Sequence, residues 1–181
     1  MQKFIVTVTS ENTSLIADKA IECFLLDSSM DKEFNRRFAA EATAAGKLVL
    51  ISGEQAPEQC KELGLDGIIV DLSKNEKPKA EFQFLRNYLG KNAVIGAIAR
   101  NRRHEAMVIS EFEPDFLIFR AWTDGIGQVR ELVAWYNELF LIQSAVLCCD
   151  ENLDFGSFAC DIVILSDREY TIFVAKKQSL D

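Results

Sequence analysis

Eight short runs of apolar and β-branched residues recur along this chain at intervals of about 20–25 residues, and their rhythm limits the possible folds more than any other feature. Most of the runs are continuously apolar rather than alternating, which is typical of parallel strands that helices cover on the outer face. Each run therefore predicts one strand of a parallel sheet. The runs occupy residues 4–9, 22–26, 48–51, 67–72, 93–99, 116–119, 142–147 and 162–165.

Helix-like segments lie between these runs. Apolar side chains recur every three or four positions in residues 34–45, 82–89 and 129–140, which places them on one face of a helix. A glycine stands shortly before three of the predicted strands, as expected where a helix ends. These glycines are Gly46, Gly64 and Gly90.

Some connections give a weaker helical pattern. Residues 52–55 (Ser-Gly-Glu-Gln) match a capping box and predict the start of the helix in the third connection. Residues 11–21 and 151–159 form the shortest connections, so we expect little helix there. No helix is predicted after Tyr170.

Regular alternation of strands and helices predicts an α/β fold built from parallel βαβ units with right-handed crossovers. Eight strands favour a compact (β/α)₈ barrel of the TIM type with short helices, formed by residues 1–181 as a single domain. The 181 residues are few for such a barrel, which usually needs about 200 or more. An open, doubly wound parallel sheet of five or six strands is therefore the alternative.

Composition and charge exclude several classes of function. The net charge of −8 argues against general affinity for nucleic acid or anionic membranes, and no segment approaches the ~18 apolar residues of a membrane span. Residues 1–10 lack the pattern of a signal peptide. The five cysteines include no C-x-x-C pair, so we expect reduced thiols in a cytoplasmic protein with no nucleic-acid or membrane partner.

Candidate site residues follow the strands, because α/β proteins place their sites beyond the carboxyl ends of parallel strands. Arg100 and Arg120 could bind a phosphate or carboxylate with two parallel hydrogen bonds. Alternatively, an arginine could pair with an aspartate and close the barrel mouth. Acidic residues also follow the strands, where they could hold a cation or simply cap loops and helices. They are Asp27, Glu54, Asp71, Asp150 and Asp167.

No catalytic motif is recognisable. No G-x-S-x-G elbow surrounds a serine, and the Gly125-Ile126-Gly127 segment lacks the third glycine of a dinucleotide fingerprint and the lysine of a P-loop. His104 stands beside three arginines and is expected to be a surface residue. The catalytic residues and any cofactor therefore stay unassigned, and no metal site is predicted.

Three segments resemble thiamine-phosphate synthase. Residues 64–70 (GLDGIIV), 94–96 (VIG) and 113–119 (EPDFLIF) are similar to the G-A-D-G-V-H-L-G-Q, I-I-G-V-S and G-A-D-Y-I-G-F-G-P segments of that family. The similarity is clearest over residues 45–120. It implies a (β/α)₈ barrel, and an enzyme that joins a pyrimidine pyrophosphate to a thiazole phosphate with Mg²⁺.

The residues that the resemblance would assign to this chemistry are largely replaced. The basic segment of the family at strand two is Leu-Leu-Asp-Ser-Ser at residues 25–29, and its metal-binding N-D corresponds to about Ser52 and Gly53. Its phosphate-binding G-G after strand seven is Cys148-Cys149, which adds side chains where backbone must approach phosphate. We therefore predict that this chain does not make thiamine phosphate.

The sequence thus predicts a barrel that binds a small anionic ligand at the strand ends without synthase activity. Two alternatives remain, a non-catalytic interaction module or homo-oligomer without a ligand pocket, and an enzyme with different chemistry on the same barrel. In the enzyme alternative Asp71 and Asp27 would be the acid and base candidates. The predicted ligand-binding residues are Arg100, Arg120, Asp71, Asp27 and Ser166.

Overall fold

The computed structural model describes residues 2–179 and contains eight strands at the predicted places. All neighbouring strands run parallel. The predicted bounds differ from the observed ones by one or two residues at most ends. The strands are β1 (Lys3–Thr7), β2 (Cys23–Asp27), β3 (Leu48–Ser52), β4 (Gly67–Asp71), β5 (Val94–Ile98), β6 (Phe116–Ala121), β7 (Gln143–Cys148) and β8 (Ile162–Ser166).

The sheet closes on itself, in the order β1-β2-β3-β4-β5-β6-β7-β8. Closure is carried by β1 and β8, which pair in parallel from Lys3 opposite Ile162 to Thr7 opposite Ser166. The (β/α)₈ barrel is therefore confirmed. The alternative of an open, doubly wound sheet is wrong, because such a sheet would leave its edge strands unpaired.

Six α-helices lie within the described residues. The first and seventh connections instead contain only short 3₁₀ helices, Ser14–Ala17 and Phe155–Ser157, as their lengths predict. Gly64 ends its helix in the left-handed conformation, with φ +65°. The α-helices are α1 (Lys32–Ala44), α2 (Ala56–Leu63), α3 (Pro78–Leu89), α4 (Arg103–Ser110), α5 (Ile126–Leu139) and α6 (Asp167–Gln178).

Helix α6 corrects the prediction that no helix follows Tyr170. Ser166 and Glu169 form a capping box: the Ser166 hydroxyl accepts from the Glu169 N–H, and the Glu169 carboxylate accepts from the Ser166 N–H. Lys176 and Lys177 lie in the last turn, where the helix dipole favours cations. The helix lacks a clear apolar stripe, which is why periodicity does not reveal it.

The capping box predicted at residues 52–55 is also wrong. Helix α2 begins at Ala56 after Gln55, whose side chain makes no capping hydrogen bond. Gly53 has a φ of +107°, and a side chain there would collide with the Ser28 hydroxyl. The segment therefore turns sharply before the helix, instead of entering it directly at Ser52.

Two apolar layers explain why the strands are continuously apolar. One layer fills the barrel interior and includes Leu25, Ile69 and Ile118. The other lies between the strands and the helices and includes Phe24, Phe119 and helix residues. Because successive strand side chains point to opposite faces, both faces of most strands are buried.

Three aspartates brace the N-terminal end of the barrel. Each one precedes an even-numbered strand, and its carboxylate accepts a backbone N–H from the second residue of the preceding odd-numbered strand. Each carboxylate therefore satisfies a backbone N–H group near the start of a strand. The pairs are Asp66 with Val49 (2.8 Å), Asp115 with Ile95 (2.7 Å) and Asp161 with Ser144 (2.9 Å).

Within residues 2–179, no helix combines the length and the apolar character needed to cross a membrane. All five cysteines are free thiols, as their odd number and spacing predict.

Candidate functional site

Strand alternation brings the predicted site residues to the C-terminal end of the barrel interior. Each of them stands two positions after an apolar residue of the interior layer. The four that belong to a strand therefore point to the same face as that residue, whereas Arg100 lies two residues beyond the end of β5. The C-terminal end of a (β/α)₈ barrel is also where such proteins bind their ligands. The pairs are Leu25 with Asp27, Ile69 with Asp71, Ile98 with Arg100, Ile118 with Arg120, and Ile164 with Ser166.

A cavity of about 540 Å³ opens at this end. Its edge carries Asp71 and Glu54, so Asp71 is the predicted site residue that lines it. This volume is within the range of small-molecule pockets, which are mostly apolar with a few polar groups. The apolar floor consists of Leu25, Ile69, Ile98, Ile118, Leu147 and Ile164.

Arg120 extends from β6 to the end of β4 and forms an ion pair with Asp71. Its Nη2 lies 2.6 Å from Asp71 Oδ2, and its Nη1 donates to the Ser73 hydroxyl at 3.1 Å. The Arg120 side chain is 24% exposed and that of Asp71 is 33% exposed. The internal Arg–Asp pair foreseen as one interpretation of Arg120 therefore exists at the barrel mouth.

Ser73 also holds the second arginine. Arg100 Nε donates to the Ser73 carbonyl oxygen at 2.5 Å, while the Ser73 hydroxyl donates to Asp71 Oδ1 at 2.5 Å. Asn101 also joins these residues, because its Nδ2 donates to the Arg120 carbonyl oxygen at 2.7 Å. The structure thus brings Arg100, Arg120 and Asp71 into one network, centred on a buried serine.

Ser73 and Asn101 are the members of this network that the candidate list lacks. A local signal for Ser73 exists: Asp71-x-Ser73 is the spacing at which an aspartate accepts the N–H two residues later, here at 3.0 Å. The contact with Arg100 spans 27 residues and has no local signature.

The network also keeps Asp71 ionised. Desolvation by burial raises the pKa of Asp71, but hydrogen bonds from Arg120 and Ser73 outweigh it, and the pKa lies below its ordinary value. Asp71 is therefore a carboxylate near neutral pH, able to accept hydrogen bonds and to orient Arg120.

Asp27 and Ser166 are engaged locally. Asp27 Oδ1 accepts from the Ser29 N–H at 2.8 Å and from the Ser29 hydroxyl at 2.7 Å. Ser166 caps α6. Neither hydrogen-bonds to Arg100 or Arg120 among the described residues, so the structure gathers three of the five predicted residues into one network.

Other strand-end acids bind the loops. Asp150 accepts from the Thr123 N–H at 2.6 Å, and Asp167 accepts from the Thr9 N–H at 3.1 Å. Both residues therefore satisfy backbone donors, which is the structural role expected of acids at strand ends. His104 is exposed, as predicted.

The residues present do not fit a Mg²⁺ site. No group of three His, Cys, Asp or Glu side chains within residues 2–179 is arranged to hold a metal ion. The Asp71 carboxylate is occupied by Arg120 and Ser73, and Ser52 and Gly53 stand where the resemblance expects the metal-binding aspartate. The neutral Ser-Gly pair lacks the carboxylate that such a cation prefers.

The sequence of this chain is similar to that of one curated protein. The chain is 35% identical over 123 residues to the thiamine-phosphate synthase of Hyphomonas neptunium. The resemblance to thiamine-phosphate synthase is confirmed. The match covers 68% of this chain and 52% of the synthase, so the chain spans about half the length of that relative. No family model matches the chain.

Solved structures show the same fold at low sequence identity. The thiamine phosphate pyrophosphorylase of Pyrococcus furiosus superposes with a TM-score of 0.70 at 12% identity, over 91% of this chain and 85% of its own. A variant of the citrate synthase SbnG gives 0.62 at 15% identity, over 99% and 92%. Tryptophan synthase of M. tuberculosis gives 0.66 at 9% identity, over 97% and 86%. Barrels with different names are therefore comparably similar, and the thiamine-phosphate synthase resemblance rests on the sequence match.

Proposed function

We propose that this thiamine-phosphate synthase-like barrel, a single domain over residues 1–181, lacks synthase activity and binds a small anionic ligand at its strand ends. The ligand carries a phosphate or carboxylate for Arg100 and Arg120, and an apolar body for the cavity floor. One observation carries the proposal: the guanidinium groups of Arg100 and Arg120 converge on Ser73.

Both guanidinium groups keep hydrogen-bonding capacity. A guanidinium has five N–H donors in a fixed fork, which suits the two oxygens of a phosphate or carboxylate. Asp71 and Ser73 each accept one bond from Arg120, and Ser73 accepts one from Arg100. Among the described residues no other side chain or backbone oxygen hydrogen-bonds to either group, so the remaining donors are available to a ligand.

The local charge supports an anion. Asp71 offsets the charge of Arg120, but no described carboxylate forms a salt bridge with Arg100. Residues 102 and 103 are two further arginines, of which Arg102 pairs with Glu105 at 3.8 Å and Arg103 lies over the Trp135 ring. A chain of net charge −8 thus concentrates positive charge at one part of its rim, which would attract an anion there.

Loss of synthase activity is supported by the replaced residues. Asp27 stands where the family has a basic segment, and its carboxylate would repel a pyrophosphate. Cys149 is exposed at the position of the family's glycine pair, where its side chain occupies space that backbone N–H groups need.

Isothermal titration calorimetry with thiamine phosphate tests the binding proposal. We expect saturable binding of micromolar or tighter affinity, unchanged by Mg²⁺. Arg120→Ala should weaken it by roughly thirty-fold or more, because charge-assisted hydrogen bonds contribute about 2 kcal/mol or more. Arg36→Ala is the matched control, since Arg36 pairs with Glu33 on the outside of α1.

The outcomes separate the parts of the proposal. Absence of heat with thiamine phosphate and with inorganic phosphate would overturn anion binding at the mouth. Arg120→Ala protein that binds normally would overturn the role of Arg120. Thiamine phosphate formed from the two precursors with Mg²⁺, above a control without protein, would show that synthase activity remains.

An interaction module or homo-oligomer is the second candidate. Large apolar side chains are exposed at Phe84 (60%) and Leu141 (104%). Exposed apolar surface favours contact with another chain. The presence of α6 removes one argument for this candidate, because that helix covers β8 and β1. A strict monomer by light scattering at high concentration would count against it.

An enzyme of different chemistry has less support. Its acid and base candidates are Asp71 and Asp27, and Asp71 has a lowered pKa that makes it a poor proton acceptor near neutral pH. Localisation in the cytoplasm and the absence of a nucleic-acid partner belong to the same proposal. The five free thiols and the net charge of −8 support them.

A further inference from the structure

A second cavity lies outside the barrel, between α6 and the connection from β7 to β8. Its volume is about 300 Å³. Leu165 and Leu153 are buried at its base, and Ile172 is partly exposed at its opening. Its apolar walls are formed by Cys148, Leu153, Phe155, Leu165, Ile172 and Phe173.

The cavity exists because the seventh connection is short. An α-helix in this position would cover the outer faces of β7 and β8, but the connection contains only the 3₁₀ helix Phe155–Ser157. Phe155 contacts Phe173 edge-to-face, with ring centroids 4.9 Å apart, and Phe173 lies 5.6 Å from Phe4. These ring contacts fix the walls in place, so the space is preformed.

Most charged groups at the rim are already partnered, including Asp154, which pairs with Arg130 at 3.3 Å. Arg168 pairs with Glu151 at 3.5 Å, and Lys176 donates to Asn152 Oδ1 at 3.3 Å. The carboxylate of Glu169 belongs to the capping box of α6. Lys176 contacts a neutral partner at the exposed edge, so the apolar walls are the part of the cavity that would enclose a ligand.

The thiol at the inner wall is also uncharged. Burial, with a smaller contribution from the nearby Glu169, raises the pKa of Cys148 to about 12. Cys148 is therefore a neutral, polarisable thiol at physiological pH, a group that suits contact with an aromatic ring.

We propose that this cavity binds a small, neutral, aromatic molecule about the size of two fused rings. An apolar cavity of about 150 Å³ is large enough for benzene, and this one has about twice that volume. The site is separate from the barrel mouth: Leu147 lines the mouth cavity, whereas Cys148 lines this one, on the other face of β7.

Titration of the 181-residue protein with indole tests the proposal, by calorimetry and by the shift in thermal unfolding. Ile172→Trp places a ring in the opening of the cavity, and we expect it to weaken indole binding at least about ten-fold by competition for the space. Met107→Trp, which adds the same ring at an exposed site on α4, should bind indole like the unmodified protein.

Each contrary result overturns the proposal in a recognisable way. Unmodified protein that shows no saturable binding up to the solubility of indole has no such site. If Ile172→Trp binds indole as tightly as the unmodified protein does, indole binds at another site. If light scattering shows a dimer that Ile172→Trp dissociates, a second copy of the chain fills the cavity instead. Gly156→Phe is a second filling variant, because the nearest described atom to a side chain there is Asp154 Oδ1 at 3.8 Å.

Discussion

The two ends of the barrel are built differently. At the N-terminal end one arrangement occurs three times, in which an aspartate before an even-numbered strand accepts a backbone N–H from the preceding strand. At the C-terminal end the strand-end residues differ from strand to strand, and long side chains reach across to distant loops, as Arg120 does to Asp71. The repeated contacts hold neighbouring strands together, whereas the irregular contacts give the C-terminal end a surface particular to this chain.

Several residues that carry the family resemblance lie at the N-terminal end of the barrel. Asp66, Gly67 and Asp115 belong to the segments that resemble thiamine-phosphate synthase, and all three lie at the N-terminal end of the barrel. At the C-terminal end the chain departs from the family, for example at Cys149. The shared residues therefore indicate the fold, and the proposal of a bound anion depends on residues at the other end.

The largest effect should come from Gly67→Ala at the N-terminal end. A side chain at this position would overlap the backbone of Val94 in the neighbouring strand. We expect a loss of about 3 kcal/mol or more in the free energy of unfolding, measured in urea, because strand backbone cannot yield easily. Gly127→Ala in α5 is the matched control, since nothing lies within 4 Å of an added Cβ there. Equal stability of both variants would contradict the close approach of β4 and β5.

Asp161→Ala tests whether the recurring aspartates brace the barrel. It leaves the Ser144 N–H without its acceptor at a residue that is fully buried. We expect a loss of about 1–3 kcal/mol, the cost of a buried unsatisfied donor. Asp124→Ala removes an exposed aspartate for which no hydrogen bond is found among the described residues, and it should leave the urea midpoint unchanged. A loss no larger than that of the control would show that the brace contributes nothing.

The sequence predicts the strands well because their signal is local. In the run 48–51, for example, residues 49–51 are buried on both faces, so burial explains their composition. Helix α6 has no comparable signal along one face, and it depends on the capping box of Ser166 and Glu169. A search for that pattern at every strand end would have found it.

The candidate site could be predicted only in part. Placement at the carboxyl ends of the strands follows from the fold class, and side-chain alternation predicts which of those residues face the barrel interior. Which side chains meet depends on contacts such as the one between Ser73 and Arg100, which are distant in sequence. Such pairing is decided by the shape of the closed barrel, and no local pattern encodes it.

A smaller effect is expected for Asp71→Asn at the C-terminal end, and it should depend on pH. The folded pKa of Asp71 lies below the unfolded value of about 3.9, so the ion pair stabilises the protein above that pH. This contribution is lost as the pH falls through the folded pKa. We therefore expect Asp71→Asn to cost less than about 1 kcal/mol at pH 6, since both partners are partly exposed, and progressively less as the pH falls through the folded pKa.

Urea unfolding of both proteins between pH 6 and pH 2 measures this change. Asp27→Asn is the control, because Asp27 forms no salt bridge among the described residues. A stability difference for Asp71→Asn that stays constant over this range would show that the Arg120 pair does not hold the carboxylate ionised.

The last difference between the two ends concerns access rather than stability. Cys149 is exposed at the C-terminal end, whereas Cys23 is buried in the barrel interior at the N-terminal end. Burial also raises the pKa of Cys23 to about 12, so this thiol is both enclosed and protonated. Treatment of the native protein with iodoacetamide, followed by mass spectrometry, should show Cys149 modified well before Cys23. Cys149→Ser should remove this early modification, and urea should make Cys23 reactive. If Cys23 is modified as early as Cys149, the barrel opens at its N-terminal end despite the three aspartate contacts there. The two ends would then not differ in rigidity.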